Sequence, residues 1–144
     1  MKRFVVIGAG KRAGHLVGLL SQYPSVEFAG AWDPNADKVE ALYQRALSAP
    51  GLPRPTSWEA TLEAPKVDWV LVASPNAFHR THIEGALSRG KHVFSEKPVA
   101  TTEEDCLALA KLQNNSDRTL MTGFTLRYSP LYREVLNASS IPES

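Results

Sequence analysis

The sequence predicts an α/β domain in which helices cover both faces of a doubly wound parallel sheet. Three observations carry that expectation. Phe4-Val5-Val6-Ile7 is an unbroken apolar run, the pattern of a strand buried on both faces. Further strand-like runs at Val26 to Trp32, Val67 to Ala73, Lys91 to Ser95 and Thr119 to Tyr128 alternate with helical stripes, in the order βαβαβαβαβ. Parallel neighbours joined in this way need right-handed crossovers, and no internal repeat or shift of composition divides residues 1–128.

Each element has a local reason. Beyond Ile7 a glycine turn opens a helix whose apolar residues Ala13, Leu16, Val17 and Leu20 share one stripe. Asp33-Pro34-Asn35 starts a second helix through Val39, Leu42, Tyr43 and Ala46. Three prolines and a glycine then make Ala49 to Pro55 a loop, or a short edge strand near its end. Ser57 is expected to cap a short helix within Thr56 to Glu63. A helix from about Phe78 to Ser88 stops at Gly90. Thr101-x-x-Glu104 has capping-box spacing ahead of Leu107, Leu109, Ala110 and Leu112, and Asn114 to Asp117 reads as the loop that ends this helix. After the last strand, Ser129-Pro130 begins one more helix.

Composition narrows the function classes. A net charge of +1 gives no electrostatic footprint for nucleic acid or an anionic membrane, so neither is expected as a partner. The apolar run after Met1-Lys2-Arg3 breaks at Gly8 without a cleavage signal, and no run reaches the roughly 18 apolar residues of a membrane span. With Cys106 as the single cysteine, no internal disulfide forms, and a cytoplasmic location is expected.

The chemistry gathers at the strand ends. Gly8-x-Gly10-x-x-Ala13 follows an apolar strand and opens a helix, the arrangement that cradles a dinucleotide. Gly8 takes the turn, Gly10 lets a pyrophosphate approach the main chain, and Ala13 allows close packing of helix on strand. The phosphates would lie over Gly8 to Arg12, including Lys11, held by free N–H groups and the positive end of the helix dipole. Asp33 stands 19 residues beyond Gly14, at the end of the second strand, where a carboxylate meets the adenosine ribose; it would favour NAD, with NADP as the alternative. Asp before Pro-Asn is also a turn former and helix cap, the structural alternative to the ribose role that the glycine loop favours.

Ser74-Pro75-Asn76 closes the third strand, either as a ligand-facing loop or as a turn with Asn76 as cap. His79 and His82 have a spacing that suits zinc, but no nearby Cys or Asp completes a ligand set, and no metal is expected. Lys97, between Glu96 and rigid Pro98, is expected to be held at the mouth of the sheet as a general acid/base or substrate-orienting ammonium. The Lys97-Pro98 bond is a candidate cis peptide.

In order and spacing, the glycine loop, Asp33-Pro34, Ser74-Pro75-Asn76 with His79, Glu96-Lys97-Pro98, and Gly123-Phe124 with Arg127 resemble the N-terminal Rossmann domain of the Gfo/Idh/MocA family, that of glucose-fructose oxidoreductase and inositol dehydrogenase. The resemblance implies an NAD(P)-dependent oxidoreductase that moves a hydride between nicotinamide and a hydroxyl carbon of a sugar, cyclitol or similar small molecule. It implies that Lys97 lies beside nicotinamide and substrate, and that Ser74, Pro75, Asn76, His79 and Glu96 join the cofactor site. Where the family often reads Gly-Phe-Asn-Arg-Arg, this chain has Gly123-Phe124-Thr125-Leu126-Arg127, which leaves Arg127 a weak substrate-side candidate. Residues 1–128 would then be the dinucleotide-binding domain and 129–144 the start of a truncated substrate domain, whose remainder supplies substrate contacts and a homo-oligomer interface in the family. This stretch alone is expected to bind cofactor without turning over substrate. A non-catalytic regulatory module that binds dinucleotide is the alternative.

Overall fold

A wholly parallel five-stranded sheet of order β2-β1-β3-β4-β5 forms the middle layer of the computed structural model, which describes residues 1–46 and 51–138. The strands are β1 (Lys2–Ile7), β2 (Val26–Trp32), β3 (Trp69–Val72), β4 (His92–Ser95) and β5 (Leu120–Thr122). The helices are α1 (Lys11–Leu20), α2 (Ala36–Arg45), α3 (Trp58–Leu62), α4 (His79–Ser88), α5 (Glu103–Asn114) and α6 (Pro130–Ala138). Tight 3-10 turns at Asn76–Phe78 and Thr125–Tyr128 precede α4 and α6. The chain runs from β1 out to β2 and returns to β3 on the other side of β1, so the winding reverses there.

The apolar run of β1 serves two cores because successive side chains point to opposite faces. Val5 and Ile7 join Val70, Val72, Ile83, Leu87 and Val93 under α3, α4 and α5, while Phe4 and Val6 join Val17, Phe28, Leu42 and Tyr43 under α1 and α2. Val5, Val6 and Ile7 are wholly buried, each contributing roughly 1.5 to 3 kcal/mol of transfer free energy. On the α1 side, β3 and β4 are left partly bare: Phe4, Leu16, Leu19, Trp69, Leu71 and Phe94 line an apolar cavity of about 430 Å³.

The expected starts of the helices hold, with instructive shifts. Ser57 accepts from the Ala60 N–H, and Asn35, rather than Asp33, caps α2 by accepting from the N–H groups of Asp37 and Lys38. The cap of α5 is Thr102, which accepts from the Asp105 N–H, one residue later than the Thr101-x-x-Glu104 spacing suggests. Leu107 is exposed, so the inner stripe of α5 is Leu109 with Leu112. The last strand is much shorter than the run Thr119 to Tyr128. It leaves the sheet once β4, its single neighbour, ends at Ser95, and the backbone then turns locally through Phe124 N–H to Thr122 O and Arg127 N–H to Phe124 O. Residues 51–55 are irregular rather than an edge strand; Ala49, Pro50 and residues 139–144 lie outside the described residues. Helix α6 forms where Ser129-Pro130 predicts it, and its Leu131, Tyr132 and Val135 are exposed.

On α4, His82 is 4% exposed, packed between Trp58 and Phe78, and its pKa is held down to about 4, first by burial and then by the charge of His79. The folded chain therefore keeps His82 neutral where the unfolded chain would protonate it. Its contribution to stability is present above about pH 6.5 and lost as pH falls toward 4, up to roughly 3 kcal/mol. Thermal melts between these pH values should show that loss, and His82→Gln should flatten the slope in the same window.

Candidate functional site

The five strands end level: Ile7 is in register with Trp32 and with Val72, Val72 with Ser95, and Ser95 with Thr122. The ladder then runs one residue further. Gly8 N–H donates to Trp32 O at 2.8 Å, Ala73 to Ile7 O at 2.8 Å, Glu96 to Val72 O at 2.9 Å and Gly123 to Ser95 O at 2.8 Å. The four loops of interest thus leave the sheet from one edge, around the point where the winding reverses. Ligands gather in that crevice in open α/β sheets.

Gly8 sits at the centre. Its φ of +92° is open to few other residues, and a Cβ there would lie 2.5 Å from Ser74 N and 2.6 Å from Ala73 O. The turn after β1 and the end of β3 are therefore in backbone contact. Gly10 differs: its φ is ordinary and, among the described residues, nothing lies within 4 Å of where its Cβ would be. It faces open space at the start of α1.

That helix end is open to an anion, and only α4 among the other long helices described before β5 shares its lack of a side-chain cap and of first-turn acid. No side chain caps α1 and its first turn carries no acid, whereas α2, α3 and α5 each have a side-chain cap and an acidic first turn. Free N–H groups and the positive dipole end point into the space beside Gly10, with Lys11 and Arg12 exposed in the first turn and Ala13 buried against the sheet. Asp33 flanks it. One carboxylate oxygen accepts from the Ala9 N–H at 2.8 Å and the other from the Asn35 N–H at 2.9 Å, so the turn-forming role is real. It also orients the carboxylate beside the loop, with lone pairs left for further donors.

Across the crevice, Arg12 Nε donates to Glu96 Oε1 at 2.7 Å and joins the glycine-loop helix to the loop after β4. Glu96 also faces Gly123, whose Cβ would stand 3.2 Å from the same oxygen. The Lys97-Pro98 peptide is cis. Lys97 itself is exposed, and no hydrogen bond or ion pair holds its ammonium among the described residues; what is held is the backbone on either side of it, Glu96 N–H by Val72 O and Pro98 O by His79. Pro75 and Asn76 are exposed on the loop after β3, and the start of α4 belongs to a 3-10 turn rather than to a side-chain cap from Asn76.

His79 stands behind these loops rather than in the crevice. It is 1% exposed, with Nδ1 2.6 Å from Pro98 O and Nε2 2.7 Å from Ser74 O, so neither nitrogen is turned to a ligand. His82 Nδ1 lies 2.9 Å from Ser74 Oγ, a support for the Ser74 loop that the sequence shows only as a second histidine one turn along the helix. Arg127 is exposed on the turn before α6, and no hydrogen bond or ion pair links its side chain to this cluster among the described residues.

Comparison with known proteins gives a consistent picture. Residues 2–124 match the family of oxidoreductases with an NAD-binding Rossmann fold, GFO_IDH_MocA. An inositol 2-dehydrogenase/D-chiro-inositol 3-dehydrogenase of Halalkalibacterium halodurans is 32% identical over 139 residues, which are 94% of this chain and 39% of that protein. A 2,7-anhydro-N-acetylneuraminate hydratase of Escherichia coli is 27% identical over 128 residues, 89% of this chain and 33% of that protein. Among solved structures, a 3-ketoreductase from Actinomadura kijaniata in complex with NADP and TDP-benzene superposes with a TM-score of 0.84 at 27% identity, covering 96% of this chain and 42% of that one. An NAD-binding protein from Listeria innocua gives 0.81 at 34% identity, covering 99% and 42%. The chain thus spans 33% to 39% of the length of these two curated relatives. The glycine loop on an uncapped helix, the carboxylate beside it and the match over residues 2–124 together show that this chain belongs to the Gfo/Idh/MocA oxidoreductase family and carries its NAD-binding Rossmann domain.

Proposed function

We propose that this chain is the cofactor-binding part of an NAD(P)-dependent oxidoreductase that acts on a hydroxyl carbon of a sugar, cyclitol or similar polyol. The observation that carries this is the convergence, on one level sheet edge, of an uncapped helix start, the open space at Gly10, the Asp33 carboxylate and the Lys97 loop. These groups fit a dinucleotide. The N–H groups of Lys11, Arg12 and Ala13 would hold its pyrophosphate, Asp33 its ribose hydroxyls, and the loops carrying Ser74, Pro75, Asn76 and Glu96 would border the nicotinamide end. Bound there, the nicotinamide supplies the hydride or accepts it.

The chain's own residues do the rest. Asp33 disfavours a 2′-phosphate, since two like charges at 4 Å repel by about 4 kcal/mol at an effective dielectric of 20, before screening by salt. NAD is the preferred cofactor in this reading and NADP the alternative, in keeping with a solved neighbour that holds NADP. Lys97 Nζ, exposed and without a partner among the described residues, gives a proton to the substrate oxygen in reduction and takes it in oxidation. Arg127 is a weaker substrate-side contact. The inositol dehydrogenase and 3-ketoreductase names among the neighbours support the substrate class.

In this reading residues 1–128 are the cofactor domain and 129–144 begin a substrate domain that also forms a homo-oligomer. The family length supports it, and the exposed Leu131, Tyr132 and Val135 offer α6 an apolar face for packing. A cytoplasmic setting suits the exposed thiol of Cys106. One wall of the site is present in residues 1–144, and positioning a substrate is worth roughly 7 to 11 kcal/mol of barrier, so these residues alone bind cofactor without turnover.

NADH titration by fluorescence tests the site. Gly10→Ala should weaken binding at least about tenfold at a stability cost near 1 kcal/mol, because it fills the cradle and makes a poorer cap. Gly8→Ala should instead lose roughly 2 to 5 kcal/mol of stability through its φ and its backbone overlap. Asp33→Ala should narrow the preference for NAD over NADP, and NADH absorbance should stay flat with a panel of sugars and cyclitols. A chain that binds no NADH, or a Gly10→Ala variant that binds as well as the parent, overturns the assignment; Lys97-dependent turnover by these residues alone overturns the need for a second domain.

A further inference from the structure

His79 makes two contacts that a neutral ring cannot make together. Both of its nitrogens face carbonyl oxygens, Pro98 O at 2.6 Å and Ser74 O at 2.7 Å, and carbonyl oxygens only accept. A neutral imidazole has one N–H, so its other nitrogen would set a lone pair against a lone pair at contact distance. The distances belong to the short, charge-assisted range. His79 is 1% exposed, so its ring lies away from bulk solvent and the two carbonyls are the partners its nitrogens face.

The two carbonyls belong to different loops. Ser74 follows β3, while Pro98 follows β4 and is bonded directly to Lys97. His79 is buried, and its ring spans from one to the other. We propose that His79 is a positioning residue that, as the imidazolium, donates to Ser74 O and Pro98 O at once and so sets the distance between the Ser74 loop and the Lys97 loop. This inference rests on the reading of those loops as the border of the cofactor site. It replaces direct cofactor contact as the role of His79.

The surroundings suit a buried cation. Two charge-assisted bonds offset the cost of taking the ring out of water. One turn further along α4, His82 is neutral and turns Nδ1 to Ser74 Oγ, so no second cation competes for the space. Glu59 on α3 is the acidic group whose field reaches His82. The Ser74 loop is thus gripped twice from α4, by its carbonyl and by its hydroxyl, and the Lys97 loop once. Any tilt of the ring that lengthened one tie would strain the other.

The test uses the isotope-labelled chain at about pH 7, read by nitrogen NMR of the His79 ring and by couplings across its hydrogen bonds. Two protonated ring nitrogens, one coupled to the Pro98 carbonyl carbon and the other to that of Ser74, are expected. A ring nitrogen without a proton overturns the two-sided tie. The positioning role is read separately, by NADH titration of His79→Asn, which can donate on one side only, and of His79→Ala. Each variant should bind NADH at least about tenfold more weakly, with amide shifts confined to the loops after β3 and β4 and the neighbouring turn of α4. Unchanged NADH affinity in both variants, with the loop shifts absent, reduces His79 to a packing residue and overturns the positioning role. If the parent chain binds no NADH, the cofactor reading fails, while the ring couplings and the loop shifts of the variants still decide whether His79 spaces the loops.

Discussion

The backbone contact between Gly8 and the end of β3 is the constraint on which the rest of the molecule depends. With a hypothetical Cβ at 2.5 Å from Ser74 N, no side chain fits, so β1 and β3 can be neighbours with level ends only if this position is glycine. That adjacency creates the reversal in the winding, since β2 lies on the other side of β1. It also brings the start of α1 beside the loop after β3, which is the crevice itself. A tight turn and a ligand site here have one cause.

Around that contact the polar groups are arranged so that positive ends face the open space and negative ones are held at its rim. The N-terminus of α1 has neither cap nor acid. Asp33 and Glu96, the carboxylates beside it, are each engaged by the same loop and helix, Asp33 by the Ala9 N–H and Glu96 by Arg12. A carboxylate so engaged keeps its place without closing the helix end. The exposed ion pair contributes little to stability on its own, but it links elements 84 residues apart and so joins the first and fourth strand ends across the crevice. From beneath, His79 links the third and fourth. Lys97 is left with an ammonium that no described residue binds, which is what its proposed role at a substrate oxygen requires.

Much of this was legible in the sequence because it depends on short-range chemistry. The apolar run of β1, the span Val26 to Trp32, the helix stops and starts at Gly90, Ser57 and Pro130, and the glycine loop followed by Asp33 are patterns of a few residues whose backbone demands are local. The parallel order followed from the alternation of strands and helices. Even the one-residue slip from Thr101 to Thr102 is a choice between adjacent caps of the same residue type.

What only the tertiary structure decided is which distant groups meet and where a pattern must stop. The run Thr119 to Tyr128 reads as strand throughout, yet a strand exists only while a partner supplies its ladder, and β4 ends at Ser95. The family resemblance puts His79 in the cofactor site; in the fold its ring is buried against two carbonyls, 5 and 19 residues away, a placement that no local pattern shows. The sequence by itself determined the first two strands, the glycine turn and the carboxylate after the second strand, because these are set by side-chain pattern and backbone sterics. The pairings of Arg12 with Glu96 and of His79 with Ser74 and Pro98 were decided by the level strand ends, because only a register across the whole sheet brings those loops within hydrogen-bonding reach.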